Sequence, residues 1–147
     1  MQKVTEAAAG GVLYRRGPKG LELVVGEQTD RLTGARTHRL PKGKIGRRET
    51  LQQAALREVL EETGLAGRIV APLGRVEYTY VDGGVDVAKV VHFFLMEWQP
   101  GAAATPDGEL ERIRWISFEE ARQILTYERE RRVVERATQE LTPGGRE

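Results

Sequence analysis

Short apolar runs with strand-like alternation cover most of the chain, and a few stretches carry apolar residues at helical spacing instead. Ala7–Arg15 (AAAGGVLYR) and Leu21–Glu27 (LELVVGE) read as strands, and Gly17-Pro18-Lys19-Gly20 between them predicts a hairpin turn. Thr29–Thr37 is polar and reads as loop. His38-Arg39-Leu40 is a short strand stopped by Pro41, which cannot continue a ladder. Lys42–Arg48 reads as a flexible loop, with Gly43 and Gly46 allowing sharp changes of direction. A helix is predicted over Thr50–Thr63, apolar along Leu51, Ala54, Ala55 and Val59 and closed by Gly64. Arg68–Val81 and Val85–Trp98 are rich in β-branched and aromatic residues, and Asp82-Gly83-Gly84 makes them a second hairpin. Pro100–Gly108 reads as loop and Ile113–Ile116 as the last strand. Ser117 caps a helix over Phe118–Leu125, with Glu120 completing a capping box. A charged helix follows over Glu128–Thr138, and Leu141–Glu147 is expected to fray.

Strands outnumber helices and most connections are short hairpins, which favours an α/β (α+β) fold: a mixed sheet with a helix on each face. Without repeats or a linker, residues 1–147 are expected to form a single domain. Periodicity alone does not separate this arrangement from other α+β folds.

The polar side of the first helix changes the picture. Glu58, Glu61 and Glu62 lie three and four residues apart, on one face, with Arg57 just before them. Like charges at that spacing weaken a bare helix. A divalent cation would reverse the sign, because Mg²⁺ prefers hard oxygen ligands. Taken alone, a charged helix face is usually just solvated. Here it is embedded in a longer pattern, G-x5-E-x7-R-E-U-x-E-E-x-G-U with U aliphatic. Gly43, Glu49, Arg57, Glu58, Val59, Glu61, Glu62, Gly64 and Leu65 fill it without departure. From ordinary residue usage, chance agreement is on the order of one window in 10⁸.

The segment resembles the signature of the Nudix hydrolases. That resemblance implies an α/β/α sandwich, Mg²⁺ or Mn²⁺ as cofactor, and cleavage of a diphosphate linkage in a nucleoside diphosphate joined to another group. It implies Glu58, Glu61 and Glu62 as metal ligands, and Arg57 paired with Glu49 to pin the loop to the helix. Gly43 and Gly64 complete the support of the site. Relatives often bring a further carboxylate from the loop before the last strand, six residues ahead of a tryptophan. Counting back from Trp115 marks Glu109 as catalytic, with Glu111 as the alternative. Lys42, Lys44, Arg47 and Arg48 crowd the loop beside the acidic patch and are candidates for substrate phosphate. The string LPKGK resembles a phosphate-gripping variant of the family loop, which ranks the lysines first. His38 stands where many relatives carry a tryptophan. Tyr127 is the candidate for base stacking; Tyr78, Tyr80 and His92 read more simply as packed side chains.

Composition narrows the classes. Charged residues at 31% and hydrophobic ones at 39% are typical of a globular chain. A net charge of +1 provides no basic field for a nucleic-acid polymer. The absence of cysteine excludes thiolate catalysis and zinc–thiolate sites. No apolar run approaches a membrane span, and MQKVTEAAAGGVLYRR lacks a signal-peptide pattern. The expected setting is therefore cytoplasmic, without membrane, as a monomer or homodimer acting on a nucleotide-type small molecule. Diadenosine polyphosphates are the favoured substrates, since LPKGK together with the C-terminal WISFEEARQILTYERERRVVERA resembles that bacterial branch. Inositol pyrophosphates or oxidised nucleotides are the alternatives. A catalytically idle nucleotide-sensing module is the alternative from another class, against which the intact glutamates speak.

Overall fold

In a computed structural model, which describes residues 2–142, the predicted strands pair into one mixed sheet. Its strands are β1 (Lys3–Gly17), β2 (Gly20–Thr29), β3 (Arg36–Arg39), β4 (Lys42–Lys44), β5 (Leu65–Asp82), β6 (Val85–Ala103) and β7 (Arg112–Ser117). The helices are α1 (Leu51–Thr63), α2 (Phe118–Ile124) and α3 (Glu128–Leu141). The sheet order is β3-β2-β1-β6-β5, with β4 added to β1 and β7 to β2. β1 and β6 run parallel from Lys3↔Asp86 to Tyr14↔Glu97 at its centre, and the other pairings are antiparallel.

Alternation along β1 decides which helix covers which face. Ala8, Val12 and Tyr14 join the core formed with Phe118, Ala121, Leu125, Val133, Val134 and Ala137 of the α2–α3 side. Ala9 and Leu13 point the other way, against Ala54, Ala55 and Val59 of α1. The expected layering, with helices on both faces of a mixed sheet, is the one observed. Among the described residues no helix is long and apolar enough to cross a membrane.

Several boundaries differ from expectation. Lys42–Lys44 is a strand rather than a loop, paired with β1 through Ala8↔Lys44 and Gly10↔Lys42. Gly10 permits this, since a Cβ there would collide with the Pro41 carbonyl. β5 starts directly after the α1 cap, and β6 runs on through Pro100 to Ala103. Three register shifts along the β5–β6 pair absorb its prolines and glycines. Ser117 caps α2 through the Glu120 N–H, but the Glu120 carboxylate lies 4.0 Å from Arg114 instead of closing a box. Leu141 ends α3 and packs partly against the core; the fraying expected beyond it, at 143–147, lies outside the described residues.

The capping box that does form is at α1. Thr50 accepts the Gln53 N–H at 3.0 Å and Gln53 accepts the Thr50 N–H at 2.9 Å. Thr50→Ala is expected to lower the unfolding free energy by about 1 kcal/mol, checked by urea denaturation, with Thr50→Ser retaining most of it.

Candidate active site

Arg57 is the hub of the first loop and helix. Its guanidinium forks onto Glu49, with Nε–Oε2 at 2.6 Å and Nη2–Oε1 at 2.8 Å. Nη1 donates to Glu58 and Glu61, each at 2.7 Å, and Nη2 to the Lys44 carbonyl at 2.9 Å. Glu49 also accepts the Gly46 N–H at 2.6 Å. Arg57 and then this amide pull the Glu49 carboxyl down to about 2. One cation therefore ties β4, the loop after it and the middle of α1 into one piece.

The three helix glutamates divide among different partners. Glu58 and Glu61 share Arg57. Glu58 lies over Gly43, where a Cβ would collide with its carboxylate. Burial holds the Glu58 carboxyl above its usual range, opposed by Arg57 and reinforced by Glu61 and Glu62. Glu62 is buried and turns to the loop before β7, accepting the Glu109 N–H at 3.0 Å and the Leu110 N–H at 3.0 Å. Burial raises its carboxyl too, and those amides only partly offset this. The Glu61 carbonyl accepts the Asp107 and Gly108 N–H groups at 2.9 and 3.2 Å. Helical spacing thus sets the carboxylates on one face, as expected, without bringing them together. Among the described residues no group of three or more acidic or histidine side chains is arranged to hold a cation. Spacing fixes Cβ positions, whereas Arg57 and the loop amides decide where the carboxylate oxygens go.

The same loop contacts place Glu109 beside Glu62. A small cavity of about 30 Å³ is lined there by Gln28, Arg39, Lys42, Glu62, Glu109 and Leu110. Glu109 accepts from Gln28 Nε2 at 3.1 Å. Glu111 is held elsewhere, by the Thr29 N–H at 2.7 Å and Arg36 at 3.0 Å, and these contacts keep its carboxyl low.

Of the four loop cations only Lys42 lines this cavity. Burial, then the charges of Arg39 and Lys89, depress its ammonium to about 7. Lys44 is exposed and 3.8 Å from Glu6. Arg47 and Arg48 are exposed, Arg48 with a left-handed φ of 63°. Arg39 and Lys89 were not singled out by the sequence reading, although Lys89 is a lone cation inside the apolar run VAKVVHFF.

Tyr127 is not an open platform. Guanidinium groups lie over its ring from Arg39 at 5.0 Å and Arg129 at 4.1 Å, and its hydroxyl is 3.2 Å from Asp30. Arg129 also covers Tyr78, at 3.6 Å. A base seated on Tyr127 would compete with these cations. His38 is tied to Thr126 through its backbone, and His92 is only partly buried. Glu130 is a further charged residue here that neither the box nor the basic loop points to. It is fully buried in α3, accepts the Leu40 N–H at 2.9 Å and keeps its second oxygen 4.0 Å from Arg39 Nε. Its place on the apolar face with Val133, Val134 and Ala137 is the signal that could have found it.

The NUDIX domain profile matches residues 4–137. The chain belongs to the Nudix family. It is 37% identical over 139 residues to the Mycobacterium tuberculosis protein that carries the name MutT4, covering 92% of this chain and 55% of that one. It is 34% identical over 97 residues to the 8-oxo-(d)GTP phosphatase of Mycolicibacterium smegmatis, covering 66% of this chain and 29% of that one. The chain thus spans little more than half the length of the first relative and under a third of the second. Among solved structures, the C. elegans Ap4A hydrolase superposes with a TM-score of 0.66 at 20% identity, over 95% of this chain and 100% of that one. At that identity the likeness concerns the Nudix fold alone.

Proposed function

We propose that this Nudix chain is a metal-dependent pyrophosphohydrolase that cleaves a diphosphate linkage in nucleoside or dinucleoside polyphosphates. The observation that carries the reading is the meeting of opposite chemistries at one cavity, which Glu62 and Glu109 line together with Lys42 and Arg39. A site for a phosphate–metal pair needs both.

The donor chemistry suits Mg²⁺, with Mn²⁺ as alternative: Glu58, Glu61 and Glu62 are hard oxygen donors on one helix face whose charges oppose one another. A cation would have to draw them from Arg57 and from the loop amides that hold them apart here. Glu58, Glu61 and Glu62 would hold the metal, which when bound supplies charge neutralisation at phosphate and a more acidic water. Arg57, Glu49, Gly43 and Gly64 hold the frame. Glu62 anchors the 107–110 loop, and Glu109, carried on that loop, is the proposed base for the attacking water. Lys42 and Arg39 would orient the phosphates. Lys44, Arg47 and Arg48, farther out, would meet only the periphery of a longer phosphate chain.

Diadenosine polyphosphates fit the cation-rich wall best, because each added phosphate brings further negative charge. Oxidised guanine nucleotides are the second reading, favoured by the mycobacterial relative of that activity. The test is a panel of diadenosine tetra- to hexaphosphate, 8-oxo-dGTP and a diphosphoinositol with Mg²⁺, followed by product identification. The dinucleotides are expected to give the highest kcat/KM. Turnover of none of them would leave a nucleotide-sensing module as the correct reading.

Lys42 gives the proposal a pH signature. Its depressed ammonium is protonated below about pH 7 and neutral above, and anion binding favours the protonated form. Affinity for ADP without metal should therefore weaken as pH rises from about 6 to 8, by up to about tenfold. Lys42→Ala should remove this component, leaving only the ionisation of ADP itself; parallel pH profiles in both proteins would exclude Lys42 from phosphate binding.

A further inference from the structure

The outer face of α3 carries Arg129, Arg132 and Arg136 at i, i+3 and i+7, which line one side of the helix. With Arg75 of β5 they border a groove of about 310 Å³, rimmed also by Glu77 and Glu128. That volume reaches the size range of small-molecule sites, about 300–1,000 Å³, whereas the cavity beside Glu62 is about tenfold smaller.

Four guanidiniums face two carboxylates, an excess of two positive charges. The rim pairs are loose, Arg75–Glu77 at 4.0 Å and Arg132–Glu128 at 3.6 Å, and exposed pairs of this kind contribute little. The other two arginines are already oriented. Arg136 donates to the Leu73 carbonyl at 3.0 Å, beside Gly74. Arg129 lies 3.6 Å over Tyr78. Pre-oriented forks lose little freedom when they meet phosphate oxygens.

Tyr127 links the groove to the first cavity through two stacked guanidiniums. Arg129 lines the groove and lies over Tyr127, and Tyr127 lies under Arg39, which lines the cavity beside Lys42. A cationic track therefore runs from Lys42 through Arg39 and Arg129 to Arg132 and Arg75. We propose that this groove binds the distal phosphates of a polyphosphorylated substrate whose scissile linkage lies beside Glu62 and Glu109. The inference rests on the hydrolase reading above. It gives Tyr127 a positioning role, as the surface on which the linking guanidiniums are stacked.

Two measurements on the full chain test it. Inorganic tripolyphosphate is titrated in EDTA and amide resonances are followed by NMR. Saturable shifts are expected at 73–77 and 128–136, with affinity falling about tenfold in Arg75→Glu/Arg132→Glu while amides of α1 and β1 stay in place. With Mg²⁺, the same variant should raise KM for diadenosine pentaphosphate about tenfold and for the triphosphate less than about twofold, with kcat little changed. Unperturbed groove amides, or equal KM changes for both substrates, would overturn the assignment. Tripolyphosphate binding without turnover of any nucleotide would instead overturn the hydrolase reading, and the distal-substrate role with it. Turnover without groove shifts would overturn the groove alone.

Discussion

Glu58→Gln and Glu62→Gln are each expected to lower kcat by about 10²–10⁴ while the fold persists. Glutamine keeps an acceptor oxygen in nearly the same volume. At Glu62 that oxygen can still receive the N–H groups of Glu109 and Leu110, both of which point at Oε1. At Glu58 it can still accept from Arg57. What disappears is the negative charge, which a hard cation requires. Both carboxyls are raised by burial in the metal-free protein, so neutralising them should not reduce stability there. Thermal denaturation in EDTA should give a Tm equal to or above that of the parent, together with the collapse of kcat in Mg²⁺. Near-normal turnover in both variants would remove these carboxylates from the chemistry.

Gly43→Ala should cost about 10²-fold in kcat through one displaced side chain. Gly43 pairs with Ala9 in the β1–β4 ladder, directly under Glu58, and an added methyl occupies the space of the Glu58 carboxylate. The backbone there is held by its ladder with β1, so the flexible carboxylate is what moves. The diagnostic is the double variant. If the methyl acts through Glu58, Gly43→Ala/Glu58→Gln turns over no more slowly than Glu58→Gln alone. Additive losses would place the effect of the methyl elsewhere, in β4 pairing or in Lys42.

Much of the fold follows from local rules visible in the chain. Alternation placed strands around Ala7–Arg15, Leu21–Glu27 and Val85–Trp98, and Gly64 has the left-handed φ of 76° that closes α1 where the helical pattern stops. Lys42–Lys44 has the composition of a loop, and its strand character comes from no β-propensity of KGK. It comes from Gly10 on β1, whose missing side chain lets Pro41 and Lys42 approach. In the site, the residue types and order of the box were legible, and the family resemblance implied the pair of Arg57 and Glu49, whose fork follows from the match of a guanidinium to a carboxylate.

What the linear pattern determines by itself is thus the family signature, the order of strands and helices, and the acidic face of α1, since each depends on periodicity or on residues close in sequence. The layering on two faces of the sheet needs the strand pairing. Tertiary structure alone decides which charges meet. The Glu62 carboxylate accepts the backbone N–H of Glu109, forty-seven residues away in the chain. Lys89 of β6 joins Arg39 and Lys42 only through strand pairing, and Arg75 meets Arg132 only because α3 packs beside β5. Coulomb and hydrogen-bond energies depend on distance in space and on burial, not on separation along the chain, so the charged lining of the cavity and of the arginine groove exists only in the folded protein.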